Sequence, residues 1–216
     1  MPKITESLDS EILNSRVVPK QGRAMRRRKQ ILAVAEDLLD KHDFSEVTTR
    51  QIAAEAGIPI GSVYRYFPNK FSIMAAIASE TIETVDEKLA ALLRSFNEIA
   101  DWERIIDKSI DIVITVYMDR KGYVNILKAM NHTPELRNLA ALYKEEMVKS
   151  LTENFIRMGL FSSGQQADSV AHVIVTIYNS MEGKVLLCED VALQKSLIRE
   201  WKILVKGYLR HYLESR

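Results

Sequence analysis

The residues best suited to chemistry lie close together. Tyr64, Arg65 and Tyr66 follow Gly61 and Ser62, and Lys70 stands four positions beyond Tyr66. On a helical wheel with Val63 and Phe67 turned to the core, Gly61, Ser62, Arg65 and Tyr66 face outward and Tyr64 sits on the flank. A short structural helix rarely displays two tyrosines and an arginine. Tyrosine hydroxyls and ring edges suit phosphates, sugars and thymine methyls, and a glycine lets the start of a helix approach another surface closely. Arg50, in the first turn of the preceding helix, carries the fork that grips a guanine edge or a phosphate. Lys70 brings a positive head to helix-end amides that already favour an anion. Two other uses stay open: the tyrosines as packing between helices, and Arg50 as the partner of a nearby carboxylate.

Bond-making chemistry has little to work with. His42, His132, His172 and His211 are scattered without the spacing of a helical metal pair, and Cys188 has no second thiol. No glycine-rich phosphate loop occurs, and no nucleophile and base stand out. The expectation is a protein that is not an enzyme, with no metal and no cofactor.

The elements that would hold these residues are helices. Ile31, Val34, Ala35, Leu38 and Leu39 form the apolar stripe of an amphipathic helix from about Ala24 to Lys41. His42-Asp43 interrupts it. Thr48-Thr49-Arg50-Gln51 has the spacing of a capping box and opens a second short helix, which Gly57 stops. Ile58-Pro59 turns the chain into a third helix through Gly61–Phe67, ended by Pro68. Asn69 then caps a longer fourth helix through Leu89. Two short helices joined by a tight turn, with a supporting helix before them, make a helix-turn-helix. Further helices are predicted at about 101–118, 122–131, 135–158, 165–187 and 191–214. No alternating run between hairpin turns appears, so no sheet is expected.

Residues 24–72, above all TTRQIAAEAGIPIGSVYRYFPNK, resemble the DNA-binding region of the TetR family of bacterial transcription regulators. The resemblance implies an all-α protein: a three-helix helix-turn-helix domain followed by a larger helical ligand-binding and dimerisation domain. It places Thr49 and Tyr64 at phosphate-contacting positions, and Arg50, Ile60, Gly61, Ser62 and Tyr66 near base edges. Lys70 matches the phosphate-contacting lysine. The wheel puts Ile60 nearer the core than the groove, which conflicts with that role. Asp43 stands where the family commonly has glycine, and Asp tolerates the left-handed geometry that glycine supplies there.

The division expected is a flexible basic arm at 1–22, a DNA-binding domain at 23–70 and a sensing and dimerisation domain at 71–216. Charge agrees with it. The 216 residues carry a net +1, yet residues 1–70 hold 12 Lys and Arg against 9 Asp and Glu, and the remainder is net −2. No acidic residue occurs between Ile12 and Ala35, a stretch holding Arg16, Lys20, Arg23, Arg26, Arg27, Arg28 and Lys29. A basic segment on a near-neutral chain suits a polyanion, as it also suits a solvated terminus. The lone cysteine, the absence of an export signal and the lack of an apolar run long enough to span a bilayer point to the cytoplasm.

Beyond residue 90 the helices suit sensing and pairing. In the last one, Leu193, Leu197, Trp201, Leu204 and Tyr208 form one stripe and Ile198, Val205, Leu209 and Tyr212 another. A helix apolar on two faces buries one in its own domain and offers the other to a partner, here a second copy of the chain paired through the last two helices. Tyr117, Met118, Met130, Phe155 and Met158 are candidates for an adaptable apolar pocket, although each also serves as ordinary core. His172 and Glu182 interrupt an apolar helix, and one of them could select a cationic or hydrogen-bonding ligand. The partners expected are therefore a palindromic double-stranded operator, a small-molecule effector and a second copy, with no membrane. The function expected is that of a ligand-released repressor. A DNA-binding protein without ligand control, or a helical small-molecule-binding protein, would use the same residues differently.

Overall fold

The computed structural model describes residues 22–95, 101–161 and 163–213, apart from the side chains of Asn131, His132, Glu135 and Leu139. All of the expected arm except Gly22 lies outside these residues. Nine helices and no strand are found among the described residues: α1 (Gly22–Lys41), α2 (Thr49–Glu55), α3 (Ile60–Tyr66), α4 (Lys70–Arg94), α5 (Trp102–Asp119), α6 (Tyr123–His132), α7 (Pro134–Arg157), α8 (Gly164–Leu186) and α9 (Val191–Leu213). The all-α class is as expected, and each helix lies within a few residues of its predicted bounds.

The chain forms two compact units. The first takes the described residues up to Glu83 together with Met118–Ala141, and the second takes the described residues of 84–117 and 142–213. In the first, α1 buries Ile31, Leu32, Ala35 and Leu39, α2 buries Ile52 and Ala53, and α4 contributes Ile73, Met74 and Ile77. Each buried Ile, Leu or Met among them contributes roughly 1.5–3 kcal/mol of apolar burial. Segment 118–141 adds Tyr123, Ile126, Ala129 and Met130 to the buried set.

The turn between α5 and α6 is seated on α1. Gly122 has φ +68°, and a Cβ there would meet the Leu39 Cβ at 2.6 Å and the Glu36 carbonyl oxygen at 2.9 Å. Both the backbone conformation and the space exclude a side chain. The Asn125 amide donates to the carbonyls of Leu39 (2.7 Å) and His42 (3.1 Å), which α1 leaves open at its C-terminus. The Gly122 amide reaches Asp40 at 3.3 Å, and Lys121 pairs with Asp37 at 2.8 Å.

A four-residue ion network runs through the same unit. Arg120 meets Glu36 of α1 at 2.6 Å and Glu80 of α4 at 3.3 Å, and Arg28 of α1 meets Glu80 at 2.5 Å. Burial raises the Glu36 carboxyl above its ordinary pKa, with Arg120 pulling the other way. The Nε of both arginines is buried without a partner.

The second unit is ordered by charge along one pair of helices and by aromatic packing inside. Glu103, Asp107 and Asp111 stand one turn apart on α5. They pair in reverse order with Arg210, Lys206 (2.8 Å) and Lys202 (2.6 Å) of α9, an antiparallel ladder. Such half-exposed pairs contribute at most about 1 kcal/mol each, so the ladder fixes register more than it stabilises. Trp201 is fully buried, and Tyr178 of α8 meets it edge-on at 4.9 Å while sharing a 2.9 Å hydrogen bond with Ser109. Of the two stripes expected on α9, Trp201 lines up with Val205 and Leu209 inward, whereas Leu193 and Leu204 are exposed.

Candidate nucleic-acid interface

The first recognition element begins with a complete capping box. Thr48 is extended, its hydroxyl accepts from the Gln51 amide at 3.2 Å, and its own amide donates to Gln51 Oε1 at 2.9 Å. Two open amides of α2 are thus satisfied and the helix start is fixed. At the other end Gly57, with φ +62°, donates to the Ala54 carbonyl, and Ile58 donates to the Ala53 carbonyl, both at 3.0 Å. This is a Schellman termination, which turns the chain sharply without spending a long loop. Pro59 then leads into α3, and the Ser62 amide donates to its carbonyl at 2.8 Å. Gln30 of α1 ties the assembly together by donating to the Ala56 carbonyl at 2.8 Å.

These caps present a defined surface. Arg50 and Gly61 are exposed, and Ser62 and Thr49 are half-exposed. Tyr64 is 41% exposed, and its hydroxyl lies 3.2 Å from Thr49 Oγ1, so α2 and α3 are linked at their outward edge. Ile60 is 37% exposed, which resolves its conflict in favour of the outward position. No carboxylate pairs with Arg50 or Arg65 among the described residues, so the ion-pair use of Arg50 finds no partner there.

Two expectations about side-chain placement are corrected. Tyr66 does not face outward: it is 6% exposed and belongs to the core with Val63 and Phe67. At about 100° per residue, the third residue after Val63 lies about 60° from it on one side and the fourth about 40° on the other, so both fall within a core-facing stripe. Asp43 does not adopt left-handed geometry, since no non-glycine residue among the described ones has a positive φ. Its carboxylate instead accepts from the Ser45 amide (3.0 Å) and hydroxyl (2.9 Å), which makes the turn and lowers its pKa.

Lys70 is occupied. Its ammonium donates to the carbonyls of Phe44 (3.0 Å), Val47 (3.2 Å) and Ser45 (3.5 Å) and stands 4.2 Å from the Phe44 ring centroid. Burial lowers its pKa, and nearby Asp43 opposes that. The side chain thus braces the turn between α1 and α2, beneath the surface that Arg50 and Tyr64 present. Asn69 caps α4 as expected, accepting from the Ser72 amide at 2.9 Å. Of the basic run on α1, Arg23, Arg26 and Lys29 are exposed, while Arg28 turns in to Glu80 and the Phe67 ring.

The residues proposed for a pocket are divided. Met118 and Met130 belong to the first unit, and Met118 is 53% exposed. Tyr117, Phe155, Met158, His172 and Glu182 belong to the second. Phe155 is buried against Phe161, with ring centroids 5.3 Å apart. His172 is exposed, 3.7 Å from Asp168 one turn away. Glu182 is the less exposed of the pair, half-buried, and its desolvation pushes its pKa up to about 7, partly offset by Lys144. No group of three or more His, Cys, Asp or Glu suited to a metal occurs among the described residues, and no helix among them is long and apolar enough to cross a membrane. Sequence reasoning passed over Arg120, Gly122 and Asn125, for which the only signal was a glycine marking a turn.

Comparison with known proteins places this geometry. Residues 31–77 match the family "Bacterial regulatory proteins, tetR family", and residues 101–209 match "Tetracyclin repressor-like, C-terminal domain". A curated relative, the HTH-type transcriptional regulator BetI of Cronobacter sakazakii, is 22% identical over 76% of this chain and 81% of its own. The fold is shared with a TetR-family regulator from Syntrophomonas wolfei (TM-score 0.70, 14% identity, 86% of this chain and 95% of that one). It is shared too with SmeT in its triclosan complex (TM-score 0.63, 18% identity, 86% and 90%). A helix-turn-helix with a bare, basic outer edge, followed by a C-terminal domain of the matching type over half the chain, identifies a DNA-binding transcriptional regulator that belongs to the TetR family.

Proposed function

We propose that this regulator is a repressor that binds a palindromic operator as a dimer and is released by a small molecule. The observation that carries the DNA-reading part is the outward edge of α2 and α3, where Arg50, Ile60, Gly61, Ser62 and the Thr49–Tyr64 pair stand exposed or half-exposed. In this reading α3 enters the major groove, Arg50 and the start of α3 reach base edges, and Thr49 and Tyr64 grip phosphates. Tyr66 supports α3 from the core. Lys70 adds positive potential from its place behind the α1–α2 turn, and its phosphate contact is second to bracing.

A short recognition helix covers a half-site, so a two-fold pair is required for a full operator. The faces of α8 and α9 that stay open in the second unit suit a second copy: Val173 on α8, Leu187 just beyond its end, and Leu193, Ile203 and Leu204 on α9 are exposed apolar residues. Small Ser180 and Gly183 on α8 allow close approach of helices. Release by a ligand draws support from SmeT, a structural relative that forms a complex with triclosan, and from the half-buried carboxyl of Glu182, which suits a cationic or hydrogen-bonding ligand. A ligand that prefers the state with reading heads misplaced lowers operator affinity by that preference.

Selecting operators from a random DNA pool with the purified protein, then screening small molecules for release of the winner, tests both parts. Arg50→Ala is expected to cost about 1–3 kcal/mol and to relax specificity at one base position. Tyr64→Ala is expected to weaken binding across sequences. Unchanged operator affinity in both variants, with the fold intact, rules out this surface.

A further inference from the structure

Four charged side chains join three pieces of the first unit that are distant in sequence. Glu36 and Arg28 come from α1, Glu80 from the first half of α4, and Arg120 from the turn after α5. Arg120 is the only one of the four that touches both other helices, at 2.6 Å to Glu36 and 3.3 Å to Glu80. The neighbouring Lys121, Gly122 and Asn125 hold α1 from below by contacts to Asp37, Asp40, Leu39 and His42. The reading surface on α2 and α3 is tied to the middle of α1 through Gln30 and Ala56. The angle between α1 and α4 therefore carries α2 and α3 with it.

We propose that Arg120 is a positioning residue for DNA reading: it latches α1 to α4, and the latch must give way when the regulator lets go of its operator. The inference rests on the proposed ligand control and names the contact through which that control acts. Two features of the network favour it. The charges are half-buried, so water screens them less than a surface pair and a small displacement matters. Finally, Arg120 directly follows α5, the helix whose Glu103, Asp107 and Asp111 are pinned to α9. Arg120 thus follows closely on residues 117 and 118, where α5 passes from one unit to the other.

The test uses the full-length dimer with Cys188→Ser and a single spin label at Glu55→Cys, an exposed position on α2. Electron–electron distance measurement between the two heads of the free protein reads their positioning directly. Arg120→Met is expected to broaden or shift the distance distribution. It is also expected to weaken the selected operator about tenfold, within the range that couplings between sites carry, while affinity for unrelated DNA stays the same. Helix content is expected to be unchanged. A merely structural role would lower affinity for both kinds of DNA together and leave the heads of the folded fraction where they were. Arg120→Lys, which keeps one of the two bridges, is expected to fall between. Should Arg120→Met not fold, Glu80→Gln loosens the same latch with no loss of volume and is expected to act in the same direction. Distances and operator preference equal to those of the parent in the folded variants overturn the proposal. If the parent selects no operator at all, the proposed function fails, and the distance distributions decide the latch alone.

Discussion

Replacing Gly122 by alanine isolates the seat of the α5–α6 turn on α1. Two costs add. The backbone at φ +68° is one that L residues disfavour by about 1–2 kcal/mol. The new Cβ would also lie 2.6 Å from the Leu39 Cβ, 2.9 Å from the Glu36 carbonyl oxygen and 3.1 Å from the Asp40 nitrogen. These are backbone and root atoms that cannot swing aside, so overpacking adds about 1–3 kcal/mol. The sum is about 2–5 kcal/mol, a large part of the ~5–15 kcal/mol that keeps a domain folded. Gly57 supplies the control. Its φ is +62°, yet a Cβ there meets nothing within 4 Å, so Gly57→Ala carries only the backbone cost. Thermal unfolding followed by circular dichroism measures both, at about 2–4 °C per kcal/mol for a chain of this size. Gly122→Ala is expected to melt several degrees below Gly57→Ala. Equal losses in the two would refute the close approach of the turn to α1, and with it the seating of Arg120 and Asn125.

Two further predictions concern a buried charge and a cap. The Glu182 carboxyl titrates near 7 in the folded protein against 4.5 in its ordinary state, so the folded form holds its proton more tightly. Its stabilising effect is complete below the ordinary value and is lost as pH rises toward 7. Glu182→Gln is therefore expected to be more stable than the parent above neutrality, by about 2–3 kcal/mol at most given its partial exposure. The difference should shrink toward about pH 5, and urea unfolding at the two pH values reads it. A gap that does not change with pH rules the burial argument out. Thr48→Ala removes the cap of α2 and is expected to cost about 1 kcal/mol, with Thr48→Ser largely neutral; denaturant midpoints for the two variants make the comparison.

The helices were legible because their signals are local. Thr48 and Gln51, Gly57, and Asn69 each act within a few residues, and the structure uses each for the purpose its spacing suggests. The orientation of α3 was harder to read, since a helix of seven residues offers Tyr66 and Phe67 as neighbours of Val63 on the same stripe. Choosing one sent the other outward by mistake. Lys70 was read from its place at a helix start, but its partners, the carbonyls of residues 44, 45 and 47, carry no side-chain signal at all. The ladder between α5 and α9 shows in the sequence as carboxylates and cations each four apart, yet nothing there says that 103 meets 210 and not another residue. Arg120 and Asn125 lie more than eighty residues from their partners on α1, beyond the reach of periodicity.

The chain passes between its two units three times, and each passage falls inside a helix: α4 at residues 83 and 84, α5 at 117 and 118, and α7 at 141 and 142. Recombination between relatives at a single junction near residue 70 would therefore exchange a reading head without the turn that seats it. A chimaera of that kind places one parent's Arg120, Lys121 and Asn125 beneath the other parent's α1. Function would survive only where positions 36, 37 and 40 happened to match. The two segments must be inherited as a matched set, and exchanging 22–83 together with 118–141 is the graft expected to carry operator choice from one regulator to another.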